Sequence, residues 1–228
     1  MIFVVRWKDA SMVERGKIIA FDGLDGAGKS LQAELLADWL LERGVEARVF
    51  REPGGTPLGE RLREVLLQGG EISEDPLLEA LLFSASRRAL TLSALEPRAA
   101  RGAWSILDRS YLSTLVYQGL VGGVDLGLLE RMTREVHGEA FPDRILVLDL
   151  PPEVASQRRR TRAGGDPGMG DAFERRGEAY LEKVGEAYRS LVRSHSDLCL
   201  RVDAKGSSEE VAKRCLEALW DLLPRGEG

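Results

Sequence analysis

The stretch Gly23-Leu24-Asp25-Gly26-Ala27-Gly28-Lys29-Ser30 constrains this chain more than any other. It matches G-x-x-x-x-G-K-[ST], with an apolar run, Ile18–Asp22, before it and a helix-spaced stretch after it. Glycines at these spacings let successive backbone N–H groups turn toward one anion, and the following helix adds the positive potential of its N-terminus. Such a loop cradles phosphates. In it Lys29 is expected to reach the β and γ phosphates, and the Ser30 hydroxyl to ligate Mg²⁺. The candidate cradle is therefore Gly23, Asp25, Gly26, Ala27, Gly28, Lys29 and Ser30.

The rest of the chain alternates β-type and helical patterns. Ile18–Asp22, Ala47–Arg51, Trp104–Asp108, Ile145–Leu150 and Leu198–Val202 read as five buried strands. Their near-continuous apolar character suits a parallel sheet covered on both faces. Leu31, Leu35, Leu36, Trp39 and Leu40 fall on one helical stripe that Gly44 is placed to end. Tyr180, Leu181, Val184, Ala187, Tyr188 and Leu191 repeat at three and four, and Ser207 with Glu210 forms a capping box ahead of Val211, Cys215 and Leu219. The expected fold is α/β, a doubly wound five-stranded parallel sheet of the P-loop type, with its site at the C-terminal strand ends. Asp108, closing the third strand, is the expected second Mg²⁺ ligand.

Composition removes other classes. Thirty-two Lys and Arg against 37 Asp and Glu give a net charge of −5, which argues against nucleic acid as a partner. No uncharged apolar run reaches the ~18–20 residues that span a bilayer, so no membrane partner is expected. Cys199 and Cys215 make neither a disulfide framework nor a zinc site, and a cytoplasmic location is expected. Residues 1–15 read as an N-terminal extension, disordered in the simplest case, with Met12 a natural start and Phe3–Trp7 an edge strand in the alternative. Residues 16–228 read as a single domain. Within it the Gly-rich stretch 163–171 reads as a mobile loop, and a lid is expected at about 158–174.

Four further segments narrow the phosphate chemistry. Arg51-Glu52-Pro53-Gly54-Gly55-Thr56 follows the second strand, and Leu81-Leu82-Phe83-Ser84-Ala85-Ser86-Arg87 lies in a helix. Asp108-Arg109-Ser110-Tyr111-Leu112-Ser113-Thr114-Leu115-Val116-Tyr117-Gln118-Gly119 follows the third strand, and Pro142-Asp143-Arg144 leads into the fourth. No Asn-Lys-x-Asp of a GTPase is present. Together these segments resemble the thymidylate kinase family, from about Lys17 to Leu222. The resemblance implies ATP and dTMP as substrates, Mg²⁺ as cofactor, in-line phosphoryl transfer, and a homodimer.

It also implies roles. Phe83 matches the aromatic residue that stacks on thymine, although beside Leu81 and Leu82, both read as core, composition alone makes it a core residue. Arg87 matches the donor to thymine O4. Arg51 and Arg109 match the clamp on the monophosphate, where a rigid guanidinium fork fits phosphate oxygens. Asp25 matches the carboxylate at the sugar 3′-hydroxyl, and Ser113 with Thr114 the polar pair near thymine N3. Tyr117 matches the ring that excludes a 2′-hydroxyl, and Gln118 lines the pocket. In the variant of the family with Ala27 in its loop, the lid supplies the catalytic arginine. Arg162 aligns best with it, with Arg158 and Arg160 on the same side. A run such as Arg158–Arg162 is otherwise a solvated charge face.

Several positions depart from the family pattern: Asp22 for Glu, Leu31 for Thr, Ser86 for Asp or Asn, Ser110 for an aromatic residue or His, and Ala172 for Arg. Ser86 predicts a more loosely supported Arg87. Two other readings therefore stay open: a kinase for another pyrimidine deoxynucleoside monophosphate, and a nucleotide-binding regulatory protein with little turnover.

Overall fold

The computed structural model describes residues 14–68, 70–162 and 177–224. Phe3–Trp7, the Gly-rich stretch 163–171 and the rest of the expected lid beyond Arg162 lie outside the described residues. Five strands, β1 (Ile18–Gly23), β2 (Ala47–Arg51), β3 (Trp104–Asp108), β4 (Arg144–Asp149) and β5 (Cys199–Asp203), pair in parallel in the order β2-β3-β1-β4-β5. β1 runs one residue further than the sequence reading, and β4 and β5 are each shifted by one residue at both ends.

Parallel neighbours require long crossovers, and helices supply them. Between β1 and β2 runs α1 (Lys29–Leu41); α2 (Pro57–Gln68), α3 (Pro76–Leu90) and α4 (Glu96–Ala100) lead to β3. The helices α5 (Tyr111–Thr114) and α6 (Leu126–His137) lead to β4, α7 (Pro152–Arg162) and α8 (Glu178–Ser194) to β5, and α9 (Ser208–Ala218) follows. Local chemistry starts these helices. Asp75 accepts from the Leu77 and Leu78 N–H groups ahead of Pro76, and Asp125 accepts from Leu128 N–H. The expected capping box is present at α9, with Ser207 and Glu210 each accepting the other's backbone N–H. A π turn, Thr91–Leu95, joins α3 to α4 just before Pro97, whose missing N–H interrupts the ladder.

The buried face of α1 is rotated from the expected stripe. Gln32, Ala33, Leu36, Ala37 and Leu40 are buried, with Gln32 donating to Ser208 O at 2.9 Å, whereas Leu31 is exposed. Leu81 also departs from the core reading. It lies exposed on α3 with Leu77 and Leu78. The stripe of α8 is buried at Leu181, Val184, Ala187, Tyr188 and Leu191, whereas Tyr180 at its start is half-buried.

β1 sits at the centre of the sheet, with β3 on one side and β4 on the other. From β1 the chain crosses to the edge strand β2 and returns inward through β3, then passes beyond β1 to β4 and on to β5 at the other edge. The crevice at the C-terminal ends of β1 and β3 is thus the topological switch point, where ligands bind in open α/β sheets.

Candidate active site

At that crevice lies a cavity of about 630 Å³. Asp25, Gly26, Gly28, Lys29 and Ser30 line one part of it, and Arg51, Phe83, Arg87, Asp108, Arg109, Ser113, Thr114, Tyr117, Gln118 and Arg158 are among the residues that line the rest. Gly23 and Ala27 do not line it, but they shape the loop. Gly23 has φ +128°, and a Cβ there would stand 2.6 Å from the Leu148 carbonyl oxygen of the neighbouring strand. Ala27 is buried, and its N–H closes a turn onto Leu24 O at 3.1 Å.

At the loop end, Lys29 Nζ donates to Gly23 O at 3.1 Å, Leu24 O at 3.0 Å and Asp25 Oδ1 at 3.3 Å. Burial lowers the Lys29 pKa, with Arg109 adding to that effect and Asp25 opposing it. Ser30 Oγ donates to Asp108 Oδ2 at 2.5 Å, which brings the two expected Mg²⁺ ligands together. Among the described residues no group of three or more His, Cys, Asp or Glu side chains could hold a metal alone.

The middle of the site is organised around Arg109. Its φ is +74°, the one positive value among the described non-glycine residues. Non-glycine residues are held in this region only where several contacts determine them. Here Arg109 N–H donates to Phe21 O at 2.9 Å, one guanidinium nitrogen donates to Ser113 Oγ at 2.9 Å, and another forms an ion pair with Asp25 Oδ1. Burial alone would raise the Asp25 carboxyl, but Arg109 and Lys29 outweigh it and hold it well below the usual carboxylate range. The Arg109 guanidinium lies 5.7 Å from the Tyr117 ring centroid. Tyr117 itself packs edge-on against Tyr188 at 6.3 Å, on a π turn, Leu115–Val121. Arg51 is half-exposed and paired with Glu60 at 3.1 Å.

At the far end, Phe83 is half-buried and lines the cavity instead of joining the core. Arg87 is buried. Its Nε donates to Glu52 Oε2 at 2.6 Å and its Nη2 to Thr114 Oγ1 at 3.4 Å. Glu52 supplies the support that Ser86 does not. Ser86 Oγ instead accepts from Gly54 N–H at 3.1 Å, holding the turn after the cis Glu52–Pro53 bond. Gln118 is buried and donates to Glu79 Oε2 at 2.8 Å.

The pair Ser113–Thr114 is divided. Thr114 faces Arg87, whereas Ser113 faces Arg109 and Asp22. Arg158 donates to Ala204 O at 3.2 Å and Gly206 O at 3.3 Å, linking α7 to the β5–α9 loop. α7 extends to Arg162, so positions 158 and 162 are one turn apart; the side chains of Arg160 and Arg162 lie outside the described residues. Residue-level reading gave no role to Glu52, Arg63 or Ser110, all of which line the cavity, nor to Asp22 and Tyr188 behind it. Two of these carried a usable signal: Glu52 lies inside the Arg51–Thr56 motif, and Asp22 is a carboxylate in an otherwise apolar strand.

A phosphate loop, a strand-ending carboxylate and five arginines around one cavity define a P-loop nucleotide-binding protein of the nucleoside monophosphate kinase type. A family model described as thymidylate kinase matches residues 21–215, and the chain belongs to that family. It is 37% identical over 217 residues to a thymidylate kinase of Rhodopseudomonas palustris, covering 95% of this chain and 94% of that one. It is 39% identical over 207 residues to one of Symbiobacterium thermophilum, covering 91% and 94%. The crystal structure of thymidylate kinase from Ehrlichia chaffeensis superposes with a TM-score of 0.71 at 26% identity, covering 90% of this chain and 99% of that one.

Proposed function

We propose that the protein transfers the γ-phosphoryl group of ATP to dTMP, giving ADP and dTDP, as a cytoplasmic homodimer. The observation that carries this reading is the order of groups along one cavity: Lys29, Ser30 and Asp108 at one end, Arg109 and Arg51 between, and Phe83, Arg87 and Thr114 at the other. That order matches the sequence of chemical groups in two nucleotides meeting phosphate to phosphate. The loop amides and Lys29 hold the donor phosphates. Arg109 and Arg51 hold the acceptor phosphate in line, and Asp25 lies where the sugar 3′-hydroxyl would come. Phe83 stacks on the base, Arg87 and Thr114 read its edge, Tyr117 fills the space beside C2′, and Gln118 closes the pocket wall. The acceptor phosphate is itself the nucleophile, so no side-chain base is needed.

Ser30 and Asp108 would hold Mg²⁺. Their hydroxyl and carboxylate oxygens, already in contact, suit a hard ion that completes its shell with phosphate oxygens and water. When bound, the ion neutralises charge on the transferring group. Arg158, Arg160 and Arg162 of the lid side would add positive charge there. Leu77, Leu78 and Leu81 on α3 offer an exposed apolar face for a second copy. Among the described residues no helix is long and apolar enough to cross a membrane.

The test is a coupled assay of ADP release with ATP and a panel of dTMP, dUMP, UMP and AMP. Turnover is expected to be highest with dTMP. Equal turnover with dUMP would move the reading to a broader pyrimidine kinase. ATP binding with no acceptor-dependent ADP would leave only a regulatory nucleotide-binding role.

A further inference from the structure

Asp22 is fully buried near the end of β1, and a buried carboxylate is tolerated only when its oxygens are met by donors. Five donors meet them. Oδ2 accepts from Ser110 N–H at 3.0 Å and Ser110 Oγ at 2.8 Å. Oδ1 accepts from Ser113 Oγ and from Tyr188 OH, each at 2.6 Å, and more weakly from Gly23 N–H at 3.2 Å. Ser110 and Ser113 belong to the segment beginning α5, whereas Tyr188 arrives from α8, 166 positions along the chain.

Proton accounting then fixes what Ser113 can do. Its one hydroxyl proton goes to Asp22, so toward other neighbours it acts as an acceptor. It accepts from Arg109 Nη1 at 2.9 Å. The Tyr188 oxygen lies 3.0 Å from Ser113 Oγ while its own proton also goes to Asp22. Burial, with Asp22 adding to it, raises the Tyr188 phenol well above its ordinary range, so it remains a donor. The Tyr188 ring also packs on Tyr117, over which the Arg109 guanidinium sits. One tyrosine thus touches both supports of Arg109: the serine that accepts from it and the ring beneath it.

We infer that Tyr188 is a positioning residue for Arg109, acting through Asp22 and Ser113, and that Ser113 serves the phosphate end of the acceptor site instead of the base. The inference rests on the proposed role of Arg109 as the acceptor-phosphate clamp. Asp22 and Ser110, both departures from the family pattern, are direct members of the network.

The experiment compares equilibrium binding of dTMP and thymidine, which differ by the phosphate alone. Tyr188→Phe keeps the ring and removes the hydroxyl. It is expected to weaken dTMP about tenfold, the scale of one mispositioned hydrogen bond, and to leave thymidine and the KM for ATP unchanged. Ser113→Ala, which removes the bridging oxygen, is expected to give the same selective loss and serves if Tyr188→Phe does not fold. The double variant should be no worse than either single one, because both act through one path. Equal weakening of dTMP and thymidine, or no change in either, overturns the inference. If the wild-type protein itself does not prefer dTMP to thymidine, the phosphate-clamp reading fails and the inference with it. If the wild type prefers dTMP and Tyr188→Phe keeps that preference, only the inference fails.

Discussion

Glu52 holds Arg87. The Oε2 atom of Glu52 accepts from Arg87 Nε at 2.6 Å, and the two side chains are 4% and 3% exposed. The other carboxylate oxygen, Oε1, is buried without a hydrogen-bond partner. An arginine proposed to read a base is therefore oriented by a carboxylate from the start of the same β2–β3 crossover, 35 positions earlier. Breaking such a pair from one side is costly, because the remaining charge stays buried.

Glu52→Gln tests this pair through pH. Burial raises the Glu52 carboxyl above its ordinary 4.5, with Arg87 opposing. The folded protein thus retains a proton that the unfolded chain releases, so this group makes stability fall as pH rises from about 4.5 through the raised value. In Glu52→Gln that contribution should vanish, which thermal midpoints measured across the window would reveal. The variant should also raise the KM for dTMP about tenfold, since a neutral amide orients a guanidinium less firmly than a carboxylate. An unchanged KM would remove Glu52 from base recognition.

Lys29→Met should reduce turnover by at least about 100-fold, the scale on which single charge-stabilising groups act. Its amine contacts two loop carbonyls and Asp25 and contributes little to the core, so the thermal midpoint should shift by only a few degrees. Steady-state rates and calorimetry check both parts. More than a tenth of wild-type activity would overturn the assignment.

Tyr117→Ala should open the space beside the sugar C2′ and raise the activity ratio of UMP to dUMP by about tenfold or more, in the range that pocket size alone can discriminate. Tyr117→Phe, which keeps the ring over which Arg109 sits, should leave the ratio unchanged. Competition between the two nucleotides measures it directly. A ratio that does not move in Tyr117→Ala would make the residue a packing element only.

His137 concerns stability alone. Burial, with Arg87 adding to it and a contact to Ala140 O opposing, lowers its pKa from 6.5 to about 3. Its Nε2 is buried without a hydrogen-bond partner, and the ring packs against Tyr111 and Phe141. Between these pH values the unfolded chain binds a proton that the folded protein refuses, so stability falls as pH drops from 6.5 toward 3. His137→Phe should flatten that decline in acid denaturation curves. An unchanged slope would show that other groups cause it.

Much of this protein was legible in local patterns, for local reasons. The phosphate loop is readable because its backbone requires glycine at Gly23 and Gly28, both with positive φ. The inner strands β3, β1 and β4 are readable because a parallel sheet buried on both faces leaves little room for polar side chains, whereas the edge strands β2 and β5, also read as buried, are only partly so. The α9 cap is readable because both of its partners lie three residues apart. The resemblance to a family added Arg51, Phe83, Arg87 and Arg109, and the fold gathers all four around one cavity.

Other features were decided by packing alone. Leu31 and Leu81 look like core residues in sequence, yet both are exposed, because the buried face of α1 carries Ala33, Leu36, Ala37 and Leu40 and that of α3 carries Ala80, Ser84, Arg87 and Leu90. Ser86 appeared to weaken Arg87 until the fold brought Glu52 to it. The network of Asp22, Ser110, Ser113 and Tyr188 joins three segments of the chain. By sequence alone, motif and spacing determined that this protein holds phosphates and where its strands lie, since backbone geometry and periodic burial act over a few residues. Only the tertiary structure decided which buried carboxylate meets which donor, because hydrogen bonds form between groups that are close in space, and a carboxylate carries no mark in the sequence of the partner it will find.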